Sequence, residues 1–210
     1  MKTLFLNLYD AATSLGAPGW EDDEISSFLS KAQLDIIEAY YNNKDLKTIA
    51  DVVETQMVAL SGTAYHDISN SEFVDISDAT LSTRLLYLVD AYLNLTRTNP
   101  DISTVSQIPV EFIDIKDAPK FYLTPINKVW FRYPKAFVEY STSARHLVIL
   151  VDAYTTVDTD CYIVYVRKPA DIDITGVVDS ELGVSLHKDI VVKAVEEAVK
   201  STRIAKITNQ

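Results

Sequence analysis

Three histidines, one cysteine and 30 acidic side chains are the groups from which a metal or catalytic centre would be assembled. His66, His146 and His187 show no ligand-pair spacing, and none begins a His-Glu-x-x-His helix. Asp158-x-Asp160 and Asp171-x-Asp173 each offer half a cation loop. Neither runs on to the glycine and distal glutamate that a calcium loop requires, so turn chemistry accounts for both. Glu21, Asp22, Asp23 and Glu24 crowd one helix start, where aligned peptide dipoles favour negative charge without any bound ion. Cys161 lies in the apolar run Cys161-Tyr162-Ile163-Val164-Tyr165-Val166, unlike the exposed, electropositive setting of a nucleophile, so a buried structural thiol is expected. Gly-x-Ser-x-Gly, Walker and dinucleotide loops are missing, and five glycines leave little material for a phosphate cradle. The expectation is a chain with no catalytic residues, no cofactor, no metal and no enzymatic activity. The alternative of an unrecognised enzyme would rest on a cleft around Asp152 and His146.

Binding chemistry is better represented. Tyrosine occurs 12 times, and Tyr40-Tyr41, Tyr122, Trp130-Phe131, Tyr133 and Tyr140 could serve an interface, where aromatic side chains are enriched. A β-rich fold also needs aromatic core, and residue type alone does not separate the two uses. The stretch 122–133 is aromatic, basic through Lys128 and Arg132, and interrupted by Pro125 with Pro134 just beyond it. It reads either as an ordered loop laid on a neighbouring subunit or as a plain connector. Trp130, Arg132 and Tyr133 are the candidate subunit-interface residues.

These side chains must be carried by elements whose periods are visible in the sequence. Leu4, Leu8, Ala11, Ala12 and Leu15 recur at helical spacing until Gly16 and Pro18. A second helix begins near Trp20 with the apolar face Ile25, Phe28, Leu29, Ala32, Ile36, Ile37 and Tyr40. The spacing of Leu46, Ile49, Ala50, Val53, Met57 and Leu60 predicts a third helix over 45–60, closed by Ser61-Gly62. From about 73 to 166, β-branched and aromatic residues dominate in short runs. Strands are expected over 84–96, 110–115, 135–140, 147–151 and 161–166, with a turn over 157–160 and mainly antiparallel pairing. Leu186, Ile190, Val191, Ala194, Val195, Ala198 and Val199 mark a last helix, which must bury its stripe against the first ones. The fold class is α+β. A helical bundle domain is built from 1–62 and 183–210, and a β-rich domain from 63–182 is inserted between.

Apolar residues make up 48% and charged residues 23% of the chain, as in ordinary globular proteins, so extensive disorder is not expected. No apolar run approaches the length of a membrane span. Lys2 and the run Leu4-Phe5-Leu6 resemble a signal-peptide start, but Asn7, Tyr9 and Asp10 interrupt it, and folding in a cytoplasm is expected. The net charge of −11 argues against a basic nucleic-acid-binding face. It is unevenly spread: residues 1–80 carry 14 acids and 4 bases, whereas 81–135 carry 5 acids and 7 bases. Opposite regions of this kind can attract one another, while the acidic balance repels phosphate and keeps the protein in solution.

Several segments resemble neck proteins of crAss-like podoviruses. Glu24-Ile25-Ser26-Ser27-Phe28-Leu29-Ser30-Lys31-Ala32-Gln33 is similar to their N-terminal helix motif. Phe73-Val74-Asp75-Ile76-Ser77 resembles their F-x-D-L-P lead into the β module, with Ser77 replacing proline. The run from Leu123 to Pro134 matches part of a P-x-x-K-P-x-x-R-x-P loop in Pro125, Arg132 and Pro134, with Val129 where proline is common. Tyr165-Val166-Arg167-Lys168-Pro169 is similar to their Y-[IV]-[RK]-K-P strand end. Glu181-Leu182, followed by Leu186-His187 and Ile190-Val191, resembles the approach to their last helix, with Gly183 in a proline position.

The resemblance implies a structural virion protein at the head–tail neck, made in the host cytoplasm. Such proteins form a homo-oligomeric ring, a dodecamer, at the portal vertex. They act as portal adaptor, join capsid to tail, contact the portal protein and further neck or tail proteins, and extend the DNA channel for genome ejection. DNA passes without specific binding, and no membrane is involved. Lys200, Arg203 and Lys206, in a C-terminal stretch free of acids, are the portal-contact candidates that the resemblance suggests. The alternative within virions is a peripheral host-binding module that uses the Tyr-rich β surface.

Overall fold

The computed structural model describes residues 1–13, 19–60, 62–63, 71–76, 85–97, 105–123, 129–130, 132–140, 145–152 and 155–208. The chain forms two units, one from Met1–Val53 with Lys168–Gln210 and one from Glu54–Arg167. It is an α+β protein.

The first unit is helical. Helix α1 (Lys2–Thr13) buries Phe5 and Tyr9, one turn apart, with their rings stacked at 6.1 Å. Helix α2 (Asp22–Asn42) starts at a capping box in which the Glu21 amide donates to Glu24 Oε2 at 2.9 Å. Asp22, Asp23 and Glu24 occupy its first turn. It ends in a Schellman turn: Lys44 adopts φ 58°, its amide donates to Tyr41 O, and the Asp45 amide donates to Tyr40 O. Helix α4 (His187–Thr208) packs on both α1 and α2. Ile25, Leu29, Ala32 and Ile37 of α2 and Ile190, Val191, Ala194 and Ala198 of α4 are fully buried. Burial of each large side chain stabilises the unit by roughly 1.5–3 kcal/mol before entropy is counted.

Chain 168–182 is irregular yet tied to α2. Ser26, Ser30 and Gln33 lie beside the apolar stripe at i, i+4 and i+7. Ser26 Oγ accepts from the Ile174 amide at 3.1 Å and Ser30 Oγ from the Ile172 amide at 2.8 Å. Gln33, 1% exposed, donates through Nε2 to Ala170 O and accepts from Ser180 Oγ. The buried Ile172 and Leu182 add apolar anchors.

The second unit stacks two sheets. The first sheet has the order β1-β9-β4-β5, from Val53–Ala59, Thr155–Arg167, Leu85–Arg97 and Val105–Pro109. The second has the order β2-β3-β8-β7-β6, from Gly62–Thr63, Ser71–Asp75, Arg145–Leu150, Lys135–Tyr140 and Glu111–Phe112. The ladders β2–β3, β3–β8, β7–β8, β4–β5 and β4–β9 are antiparallel, and β6 with β7 is parallel. Alternation divides β8 between two cores. Leu147 and Ile149 join Ala91, Leu93, Ile163 and Tyr165 in the core that both sheets share. Val148 and Leu150 face the other way and pack with Phe137, Ala118 and Val129.

Four expectations are corrected. The helix expected over 45–60 is a turn, a 3-10 turn over Ala50–Val52, and strand β1. Pairing of β1 with β9 overrides the local helical spacing, which leaves Met57 exposed and Val58 buried. The turn expected over 157–160 is part of strand β9: Leu93 pairs with Cys161 and Leu95 with Val157, so β9 holds extra residues there as a bulge. The strand expected over 110–115 is the two-residue β6. The unit boundaries fall at 53/54 and 167/168 rather than at 62/63 and 182/183, because 54–59 joins a sheet and 168–182 lies on α2.

Candidate interaction surface

The outer core of the β unit determines where the candidate interface residues lie. The Glu111 amide donates to Pro134 O and the Ile113 amide to Ala136 O, which ties both ends of the 111–134 excursion to the sheet. Asp114 then turns the chain: its Oδ1 accepts from the Lys116 amide, and its backbone oxygen accepts from the Asp117 and Ala118 amides. Proline at the first position starts the short helix α3 (Pro119–Tyr122). Ala118 and Val129, both buried, and the half-buried Phe121 pack onto Phe137, Val148 and Leu150.

The outward side of this layer is apolar and unusually open. Leu123 is 71% exposed, Trp130 53% and Tyr133 57%. The Tyr133 amide donates to Trp130 O at 2.8 Å, and the two rings lie 5.4 Å apart at 35°. The Arg132 guanidinium lies 6.0 Å from the Trp130 ring centroid, within cation–π range. The described lysines nearby are neutralised: Lys116 by Asp114, Lys120 by Asp117, and Lys135 by Glu111. Arg132 has no carboxylate partner among the described residues. The structure thus brings Trp130, Arg132 and Tyr133 together as an exposed platform, with Tyr122 and Tyr140 also exposed, whereas Tyr165 of the apolar run 161–166 is fully buried. Lys128 and Phe131 lie outside the described residues.

Lys200 occupies α4 and donates to Glu197 Oε1 at 2.8 Å. Glu197 also receives Lys31 at 3.1 Å, and the two ammonium groups, Lys200 foremost, lower its pKa to about 2. Arg203 and Lys206 lie on the last turns of α4, with their side chains outside the described residues. No helix among the described residues is long and apolar enough to cross a membrane.

The remaining polar groups have structural settings. Cys161 is buried, and burial pushes its thiol up to about 12. His187 Nε2 lies 3.0 Å from Leu182 O at the start of α4. The His146 ring meets Phe73 edge-on at 5.6 Å. Asp152 accepts from Thr155 Oγ1, at the start of β9, at 2.6 Å. His66 lies outside the described residues. The hydroxyl of Tyr92 donates to Asp90 Oδ2 at 2.9 Å, and this bond raises the phenol's pKa.

Two polar groupings are not anticipated by the sequence reading. One is the Ser26, Ser30 and Gln33 stripe, whose i, i+4, i+7 spacing is a visible signal. The other is the cluster of Glu54, Gln56, Tyr165 and Arg167, which pairs residues more than a hundred positions apart and has no local signature.

No protein-family model matches the chain, and no curated protein matches it.

Proposed function

We propose that the protein is a structural component of a virion, a head–tail connector of the crAss-like podovirus type that forms a ring at the portal vertex and extends the DNA channel. The observation that carries the reading is the exposed Trp130–Arg132–Tyr133 platform, held by a backbone hydrogen bond and ring contacts next to the buried Val129. Trp, Tyr and Arg are the residue types that dominate binding energy at protein interfaces. A ring adaptor needs such a surface to meet a neighbouring subunit, and a net charge of −11 suits a conduit through which phosphates slide without being held. Lys200, Arg203 and Lys206, towards the end of α4, are the residues offered to the portal protein.

Quantification of this protein in purified virions, against the major capsid protein, tests the assignment. A dozen copies, or a small multiple of that, is expected, and absence from virions overturns it. Removal of residues 200–210 is expected to abolish binding to the portal protein, and unchanged binding would withdraw the portal assignment of this end.

A further inference from the structure

We propose that the Trp130–Arg132–Tyr133 platform of one copy docks on the acidic start of α2 in a second copy of this chain, head to tail. The inference deepens the connector reading by naming both faces of the subunit contact, and only the closure of the contact into a ring rests on that reading.

The platform is prepared for a partner. Trp130 and Tyr133 keep their mutual geometry through a backbone hydrogen bond and ring packing, so docking orders few additional torsions. Among the described basic residues of this layer Arg132 is the odd one: Lys116, Lys120 and Lys135 each have their own carboxylate, while its guanidinium rests on indole. Desolvating such a cation is costly unless the partner supplies an anion. A second platform does not, because platform-to-platform packing would oppose Arg132 with Arg132. Nucleic acid is disfavoured by the net charge of −11, since the lysines of this layer are already offset by their own carboxylates.

This chain carries the required anions. Glu21, Asp22, Asp23 and Glu24 form the longest acidic run in the sequence. Lys2 offsets Asp22 at 2.6 Å, and Glu21 and Glu24 are engaged in the capping box. Asp23 is exposed and makes no ion pair among the described residues. A cation without a carboxylate on an aromatic platform and a carboxylate without a cation on an acidic helix start are complementary surfaces on different parts of one chain. Contacts between two different faces are heterologous, and they propagate into rings when the rotation closes.

Charge exchange on the full chain tests this. Wild type is expected to self-associate in sedimentation velocity, more weakly at high salt. Arg132→Glu and Asp23→Lys, both at exposed positions, are each expected to weaken association on the order of tenfold with unchanged circular dichroism. Their equimolar mixture is expected to recover it, because the introduced glutamate then meets the introduced lysine at one contact and Arg132 meets Asp23 at the next. The double variant is expected to recover it alone. Association of wild type and both single variants to the same extent would place the contact elsewhere and leave the ring reading standing. A wild type monomeric at low salt and high concentration would overturn the docking proposal, while the copy number in virions decides the connector reading separately.

Discussion

Glu54 and Arg167, the first and last residues of the β unit, form an ion pair in which Arg167 Nε lies 2.8 Å from Glu54 Oε1. The other carboxylate oxygen of Glu54 accepts from the buried Tyr165 hydroxyl at 3.0 Å, and that hydroxyl also lies 3.2 Å from Gln56 Oε1. The chain therefore enters and leaves the unit through two strands, β1 and β9, that are clamped side by side by side chains as well as by their backbones. β1 is an edge strand with β9 as its one neighbour in the sheet. Arg167→Met is expected to destabilise the unit by about 1–3 kcal/mol, as for loss of a hydrogen bond to a charged group. Chemical denaturation measures the loss, and faster amide exchange over 54–58 locates it. A change below about 0.5 kcal/mol, the usual scatter for surface substitutions, would show that the clamp contributes nothing.

The stripe on α2 makes a separate prediction for the helical unit. Ser30 Oγ accepts from the Ile172 amide and donates to Ser26 O at 2.8 Å. Ser30→Ala would leave that amide unpaired beside the buried Ile172, at a cost of about 1–3 kcal/mol. The 168–182 segment should then exchange its amides and admit protease faster, while the centre of α4 stays protected. Unchanged protection of Ile172 and Ile174 would mean that the apolar anchors alone hold the segment.

Some of this is legible in the chain and some is not, for physical reasons. α2 announces itself because cap, first-turn acids and apolar stripe agree over 21 residues. β1 does not, because Val53, Met57 and Leu60 satisfy a helical period while the side chains that fix the strand, Tyr165 and Arg167, belong to distant sequence. Asp158-Thr159-Asp160 resembles a turn because a bulge tolerates the same polar residues that a turn prefers. At the candidate surface, composition identifies Trp130, Arg132 and Tyr133, yet only the structure shows that Trp130 and Tyr133 stay exposed next to the buried Val129.

The Lys31–Glu197–Lys200 cluster predicts a pH dependence. Glu197 has its pKa lowered from 4.5 to about 2. A depressed acid contributes stability that is fully present above its unfolded pKa and is lost as pH falls towards the folded value. The difference in melting temperature between wild type and Glu197→Gln should therefore be constant above about pH 5 and shrink progressively between pH 4.5 and about 2. High salt should reduce it throughout, because the lysine side chains are largely exposed. A difference that stays constant through the acid range would exclude the ion pairs as its source.

The last prediction concerns a residue that the fold places badly. Asp173 and Val178 bridge in both directions, at 3.0 and 2.8 Å, and close a tight turn over 174–177. Val177 takes φ 59° in that turn while 89% exposed. A β-branched side chain crowds its own backbone in the left-handed region, and exposure leaves no packing to offset the strain. Val177→Asn keeps the turn with a residue that tolerates this conformation, so a gain of about 1 kcal/mol is expected, or roughly 2–4 °C in melting temperature for a chain of this size. Val177→Gly should gain less, because glycine adds freedom to the unfolded chain. If Val177→Asn instead lowers the melting temperature, the valine side chain must be buried in the protein as it exists in solution.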